Sequence, residues 1–116
     1  MTSRPEPLTL RAPSGARALE IDWSDGVTSR LSHVVLRAFC PCAHCQGHQG
    51  PVRWADDVDE HADLELREIE EVGSYALRLV FGDGHGTGIY TFRFLRELGD
   101  LAELPVAQLR ARRFSR

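Results

Sequence analysis

The sequence contains no lysine: all 14 of its basic residues are arginine. That choice reflects genome composition more than physics, and it excludes little. Other absences exclude more. No stretch approaches the roughly 20 apolar residues that span a bilayer. Residues 1–17 hold three prolines and no apolar run, so no secretory leader is expected and the protein is expected to be soluble and cytoplasmic. There is no excess of positive charge. The formal net charge is −3, which argues against nucleic acid as a partner. Cysteine is scarce and odd in number, with three residues crowded between Cys40 and Cys45. In a reducing compartment such a cluster fits metal binding better than a disulfide framework.

The 116 residues fit one domain, with 42% apolar residues to build a core. A core of that size is modest, so a staple such as a metal would help it. Charge is unevenly spread. Nine of the 17 acids fall between Asp56 and Glu71, and six of the 14 arginines between Arg93 and Arg116. Both runs read as solvated faces.

Leu8–Arg11 alternates as a first strand and Pro13-Ser14-Gly15 is a turn. Leu19, Ile21 and Trp23 share one face of a second strand, which returns through Ser24-Asp25-Gly26 into Val27–Leu31. His33–Phe39, β-branched at Val34 and Val35, predicts a short strand leading into the cysteines. Residues 40–53 form a loop without periodicity, and Asp56–His61 a short helical turn. Leu64–Val72 and Tyr75–Phe81 flank Gly73-Ser74 as a second hairpin, although the first arm alternates poorly and also admits a helix. Tyr75, Leu77, Leu79 and Phe81 share a face, and Gly82–Gly88 reverses the chain into Ile89-Tyr90. Thr91 reads as the N-cap of a helix carrying Phe92, Leu95 and Leu98 and stopped by Gly99. Pro105 opens a last helix through Arg110, and Arg112–Arg116 is expected to be loose. The expected fold class is α+β: a small single domain, mainly antiparallel β-sheet with short C-terminal helices and a zinc-stapled loop.

The chemistry concentrates in Phe39-Cys40-Pro41-Cys42-Ala43-His44-Cys45. Zinc favours thiolate and imidazole ligands in a tetrahedron. Cys42 and Cys45 have the spacing that lets one turn aim two sulfurs at a point, Cys40 supplies a third, and Pro41 restricts the chain between them. The fourth ligand is open between His48, which would close a local site, and His85, at the tip of a glycine-rich reversal able to approach another loop. His44 lies within the cluster with its ring expected to point away. A redox CxxC would want a surrounding βαβ pattern that is absent, and an iron–sulfur cluster commonly wants four cysteines. The glycine-rich stretch fails the phosphate-loop pattern, because Thr87 and Ile89 stand where the third glycine would fall. His61-Ala62-Asp63 matches half of an iron facial triad, at a spacing short enough to arise by chance. No spacing unites an acid, a base and a nucleophile, so no catalytic residues are assigned and no small-molecule substrate is identified.

These residues carry a resemblance. Leu36-Arg37-x-x-Cys40-Pro41-Cys42-Ala43-x-Cys45 resembles the zinc segment of the N-terminal domain of gamma-butyrobetaine hydroxylase-like proteins. Val72-Gly73-x-Tyr75-Ala76-Leu77-Arg78, Phe81-x-Asp83-Gly84-His85-x-x-Gly88-Ile89-Tyr90-Thr91 and Leu95-Arg96-x-Leu98-Gly99 are similar to the rest of that domain, as is Leu19-x-Ile21-x-Trp23-x-Asp25-Gly26. The likeness runs over roughly residues 8–100. It implies a zinc ion held by Cys40, Cys42, Cys45 and His85, in preference to His48. In the hydroxylases the oxygenase domain that follows holds the iron and 2-oxoglutarate, so hydroxylase activity is not carried over. Similar domains occur as short bacterial proteins and attached to Mrp-type P-loop ATPases linked to iron–sulfur assembly. Some short relatives lack the cysteines, which implies that metal is not the fold's only support.

The expected organisation is a flexible N-terminus (1–7), the resembling domain (8–104) and a short C-terminal helix with its tail (105–116). The expected function is a non-enzymatic zinc-binding module that binds another protein or packs as a homodimer. An accessory role in iron–sulfur or metal handling is the alternative.

Overall fold

Three strands open the chain: β1 (Pro7–Arg11), β2 (Ala18–Trp23) and β3 (Thr28–Ser32), an antiparallel sheet in that order. The computed structural model describes residues 5–12, 17–46, 51–55 and 64–114. The turn predicted at Pro13-Ser14-Gly15 and the helical turn predicted at Asp56–His61 lie outside the described residues. Strand alternation turns Leu19, Ile21, Trp23 and Leu31 inward, each no more than 2% exposed. Trp23 Nε1 donates to Ser29 Oγ at 2.8 Å, so the buried indole is satisfied.

The segment expected to be a strand at His33–Phe39 is instead a helix, α1 (His33–Ala38). The Ser32 hydroxyl accepts from the Val35 N–H at 3.1 Å, an N-cap that outweighs the β-branched pair Val34-Val35. Helical spacing then buries Val35, Leu36 and Phe39 together. A single turn, α2 (Ala43–Gln46), carries the last cysteine, and β4 (Val52–Arg53) follows.

The second hairpin is β5 (Leu66–Val72) and β6 (Ala76–Phe81), continued by β7 (Gly88–Thr91) in an antiparallel sheet of that order. Its first arm is a strand, and a register shift between Leu66 and Glu68 explains the poor alternation. Val72 pairs with Ala76, so Tyr75 belongs to the turn and is 56% exposed, off the face that buries Leu77, Leu79 and Phe81.

The Thr91 hydroxyl caps α3 (Phe92–Leu101) by accepting from the Phe94 N–H at 3.1 Å. Gly99 does not end this helix. A Cβ there would fall 2.6 Å from Ser29 Oγ, so the glycine permits close packing of α3 on β3. Pro105 precedes α4 (Val106–Arg110) as predicted. The tail is not loose at Arg113–Phe114: these residues form β8, paired antiparallel with β4. Phe114 is buried edge-on against Phe39 and Phe94, with ring centroids 5.3 Å apart in both pairs. The architecture is thus small α+β, mainly antiparallel sheet with short helices packed on one core. Among the described residues no helix is long and apolar enough to cross a membrane.

Candidate metal centre

Three segments meet at one point. The end of α1 delivers Cys40: Phe39 N–H bonds back to Val35 and Cys40 N–H to Arg37, while Phe39 and Cys40 are themselves fully buried. The single turn of α2 delivers Cys45, with Cys45 and Gln46 N–H groups donating to the Cys42 carbonyl at 3.2 and 3.0 Å. The reversal between β6 and β7 delivers His85. It is closed by Phe81 N–H to the His85 carbonyl and by Gly84 N–H to the Phe81 carbonyl, with Gly84 at φ 88°.

His85 Nε2 lies 3.0 Å from Cys40 Sγ and 3.5 Å from both Cys42 Sγ and Cys45 Sγ. The four ligand atoms all lie within 4.8 Å of one another. Zinc bonds of about 2.3 Å to sulfur and 2.0 Å to nitrogen, at tetrahedral angles, set an S···N separation of about 3.5 Å. The donor set therefore has the identity, number and spacing of a closed tetrahedral site.

The surroundings are built for the approach. A Cβ on Gly88 would stand 2.6 Å from Cys40 Sγ, so only glycine lets β7 pass this close. The buried Tyr90 hydroxyl donates to the Leu36 carbonyl at 2.5 Å and fixes the last turn of α1. Gln46, for which the sequence reading had no role, ties the loop together. Its Nε2 donates to the Cys40 and Arg53 carbonyls at 3.0 and 2.7 Å, and its Oε1 accepts from Arg53 N–H at 3.0 Å. Nothing in local sequence marks this side chain, because its partners are all backbone. Arg37 and Asp83, quoted above only as part of a resemblance, also touch the cluster. Asp83 accepts from Arg37 Nε at 2.9 Å and from His85 N–H at 3.0 Å.

The three thiols differ in how their surroundings treat a negative charge. Burial pushes the Cys40 thiol well above the ordinary thiol range. Burial also raises Cys45, reinforced by Cys42 and opposed by Arg37. Burial acts in the same direction on Cys42, but hydrogen bonds from Thr87 and from the Cys45 backbone reverse it and leave this thiol lowered. Cys40 and Cys45 thus resist ionising beside Cys42. A divalent cation is the group that would hold all three as thiolates.

The structure thus brings Cys40, Cys42, Cys45 and His85 into one cluster, with a ligand arriving from the distant turn. His48, His61 and Asp63 lie outside the described residues, as does the side chain of His44. A groove of about 310 Å³ between β1 and the β5–β6 turn, lined by Glu6, Leu10, Glu71, Leu77 and Phe92 among others, shares no residue with the cluster.

Fold and cluster together define a small α+β protein with a candidate metal centre of three cysteines and one histidine. The chain belongs to the gamma-butyrobetaine hydroxylase-like N-terminal family, whose pattern matches residues 10–96. It is similar to a solved protein of unknown function of the DUF971 family from Acidithiobacillus ferrooxidans, at 40% identity and TM-score 0.63, covering 84% of this chain and 98% of the other. Two solution NMR structures are also similar. One is 35% identical, with TM-score 0.64 over 96% of this chain and 86% of the other. The second is 28% identical, with TM-score 0.69 over 92% and 82%. A comparison with curated proteins finds no match.

Proposed function

We propose that the chain is a non-enzymatic module whose cluster holds a structural zinc ion, and that the stapled domain serves protein–protein interaction or dimerisation. The observation that carries the zinc reading is the convergence of four ligand atoms within 4.8 Å from sequence positions 40 to 85. Three thiolates and an imidazole fill a tetrahedral shell and leave no position for water or substrate, which favours structure over catalysis. All four ligands come from segments packed on the core, so binding energy acts directly on the fold. Apparent affinity for such sites is on the order of 10 kcal/mol at neutral pH. The interaction role rests on the closed ligand set, which leaves the domain's surface to carry a function.

Purification without chelator is expected to give a colourless protein with about one zinc per chain, whose melting temperature falls when a strong chelator strips the metal. A metal-free protein of unchanged stability would refute the reading. The same donors suit iron, which keeps the alternative of an accessory to iron–sulfur or metal handling. Anaerobically purified protein with absorbance near 400 nm (an approximate position for iron–thiolate charge transfer) would favour that alternative. Size-exclusion chromatography with light scattering separates dimerisation from binding to a different protein.

A further inference from the structure

We propose that Arg37 and Asp83 form a latch that controls how readily the metal site opens at Cys45; the inference rests on the metal reading above. Arg37 sits in the last turn of α1, three residues before Cys40, and its side chain is only 15% exposed. Its Nε donates to Asp83 Oδ2 at 2.9 Å while Nη1 donates to Cys45 Sγ at 3.5 Å. The second oxygen of Asp83, Oδ1, accepts from the His85 N–H at 3.0 Å. One guanidinium and one carboxylate therefore tie together α1, the α2 turn that carries Cys45 and the β6–β7 turn that carries His85.

The three sulfurs are not held alike. Cys40 is fully buried and covered by Gly88. Cys42 is partly exposed, and its sulfur lies 3.5 Å from His85 Nε2. Cys45 is partly exposed, and its charged side-chain donor is Arg37. A hydrogen bond to a metal-bound thiolate draws charge from the sulfur, which makes it less open to protons and electrophiles. Removing the donor leaves Cys45 as the ligand that departs first. The fork geometry matters as much as the charge, because a guanidinium presents two donors in fixed directions and an ammonium does not. Outer-sphere partners of this kind alter metal binding by roughly 10–100-fold.

The test uses the full chain loaded with zinc. The rate of zinc transfer to the chromogenic chelator 4-(2-pyridylazo)resorcinol is measured for wild type, Arg37→Gln, Arg37→Lys and Asp83→Asn. Alkylation by iodoacetamide is mapped to each cysteine by mass spectrometry. Transfer is expected to be about 10–100-fold faster in Arg37→Gln and Asp83→Asn, with early alkylation concentrated on Cys45. Arg37→Lys keeps the charge without the fork and is expected to recover only part of the wild-type rate. Asp83→Asn keeps the test valid if Arg37→Gln does not fold. Equal exposure of buried Cys40 would mean general loosening and would overturn the latch. Full recovery in Arg37→Lys, or unchanged transfer in all variants, would overturn it as well while leaving the metal site standing. A wild type that takes up no zinc would remove the metal reading and the latch with it.

Discussion

Single atoms decide much at this site, and Gly88 shows it most plainly. Its Cα faces Cys40 so closely that an added methyl group would overlap the sulfur at 2.6 Å. Gly88→Ala is expected to destabilise the protein by about 1–3 kcal/mol through overpacking and to lower its zinc content, checked by urea denaturation and by metal analysis of the same preparation. His33 makes a different prediction. It is 3% exposed, its Nδ1 accepts from the Leu66 N–H at 3.2 Å, and its buried Nε2 has no hydrogen-bond partner among the described residues. Burial lowers its pKa, partly opposed by Glu65 and the Ala18 backbone and aided by Arg17. The folded chain thus binds this proton less readily than the unfolded chain. The contribution is complete above the ordinary histidine pKa of about 6.5 and is lost as pH falls from there toward the lowered folded value. His33→Asn keeps an acceptor for Leu66 and does not titrate. Urea midpoints at pH 7 and pH 5 (round values either side of about 6.5) are expected to fall further in wild type than in His33→Asn. Acid loss of the metal is common to both proteins, and equal slopes would contradict the assignment.

Among the elements, the ends of helices and strands carry the information that sequence patterns miss. The β2–β3 hairpin, the Thr91 cap and the helix after Pro105 were legible because each rests on local chemistry: alternation, a side-chain oxygen and a fixed φ. The strand expected at His33–Phe39 was misread because Val34 and Val35 favour strands, whereas the Ser32 cap and the burial of Leu36 and Phe39 decide for a helix. Gly99 looked like a stop because its tertiary reason, close packing on Ser29, is seventy positions away and invisible locally. The same holds for β8, a strand whose partner β4 lies some sixty residues earlier. Phe114 tests that element. Phe114→Ala is expected to cost about 3–5 kcal/mol, because the ring fills the space between Phe39 and Phe94. A surface-like change of under about 0.5 kcal/mol in urea denaturation would mean that the tail does not dock.

For the whole molecule, the candidate metal centre is where the elements are joined. The end of α1 follows directly from the first sheet, the His85 turn belongs to the second, and the cysteine loop continues toward the small β4–β8 pair. The three cysteines were legible as a candidate metal-binding cluster from their crowding and spacing alone. The fourth ligand was not, since residue types left His48 and His85 equal until the family resemblance favoured His85. Proximity of His85 Nε2 to all three sulfurs is a property of the assembled fold. Arg37 and Asp83 were visible only as motif letters, and Gln46 was not visible at all, because their partners are brought near by folding.

The most direct test of the account is the zinc content of purified His85→Ala and His48→Ala beside wild type. About one zinc per chain is expected in wild type and in His48→Ala, as one closed four-ligand site requires, and little or none in His85→Ala. Retention of zinc by His85→Ala with its loss from His48→Ala would contradict the account, because the cluster would then close locally without the β6–β7 turn.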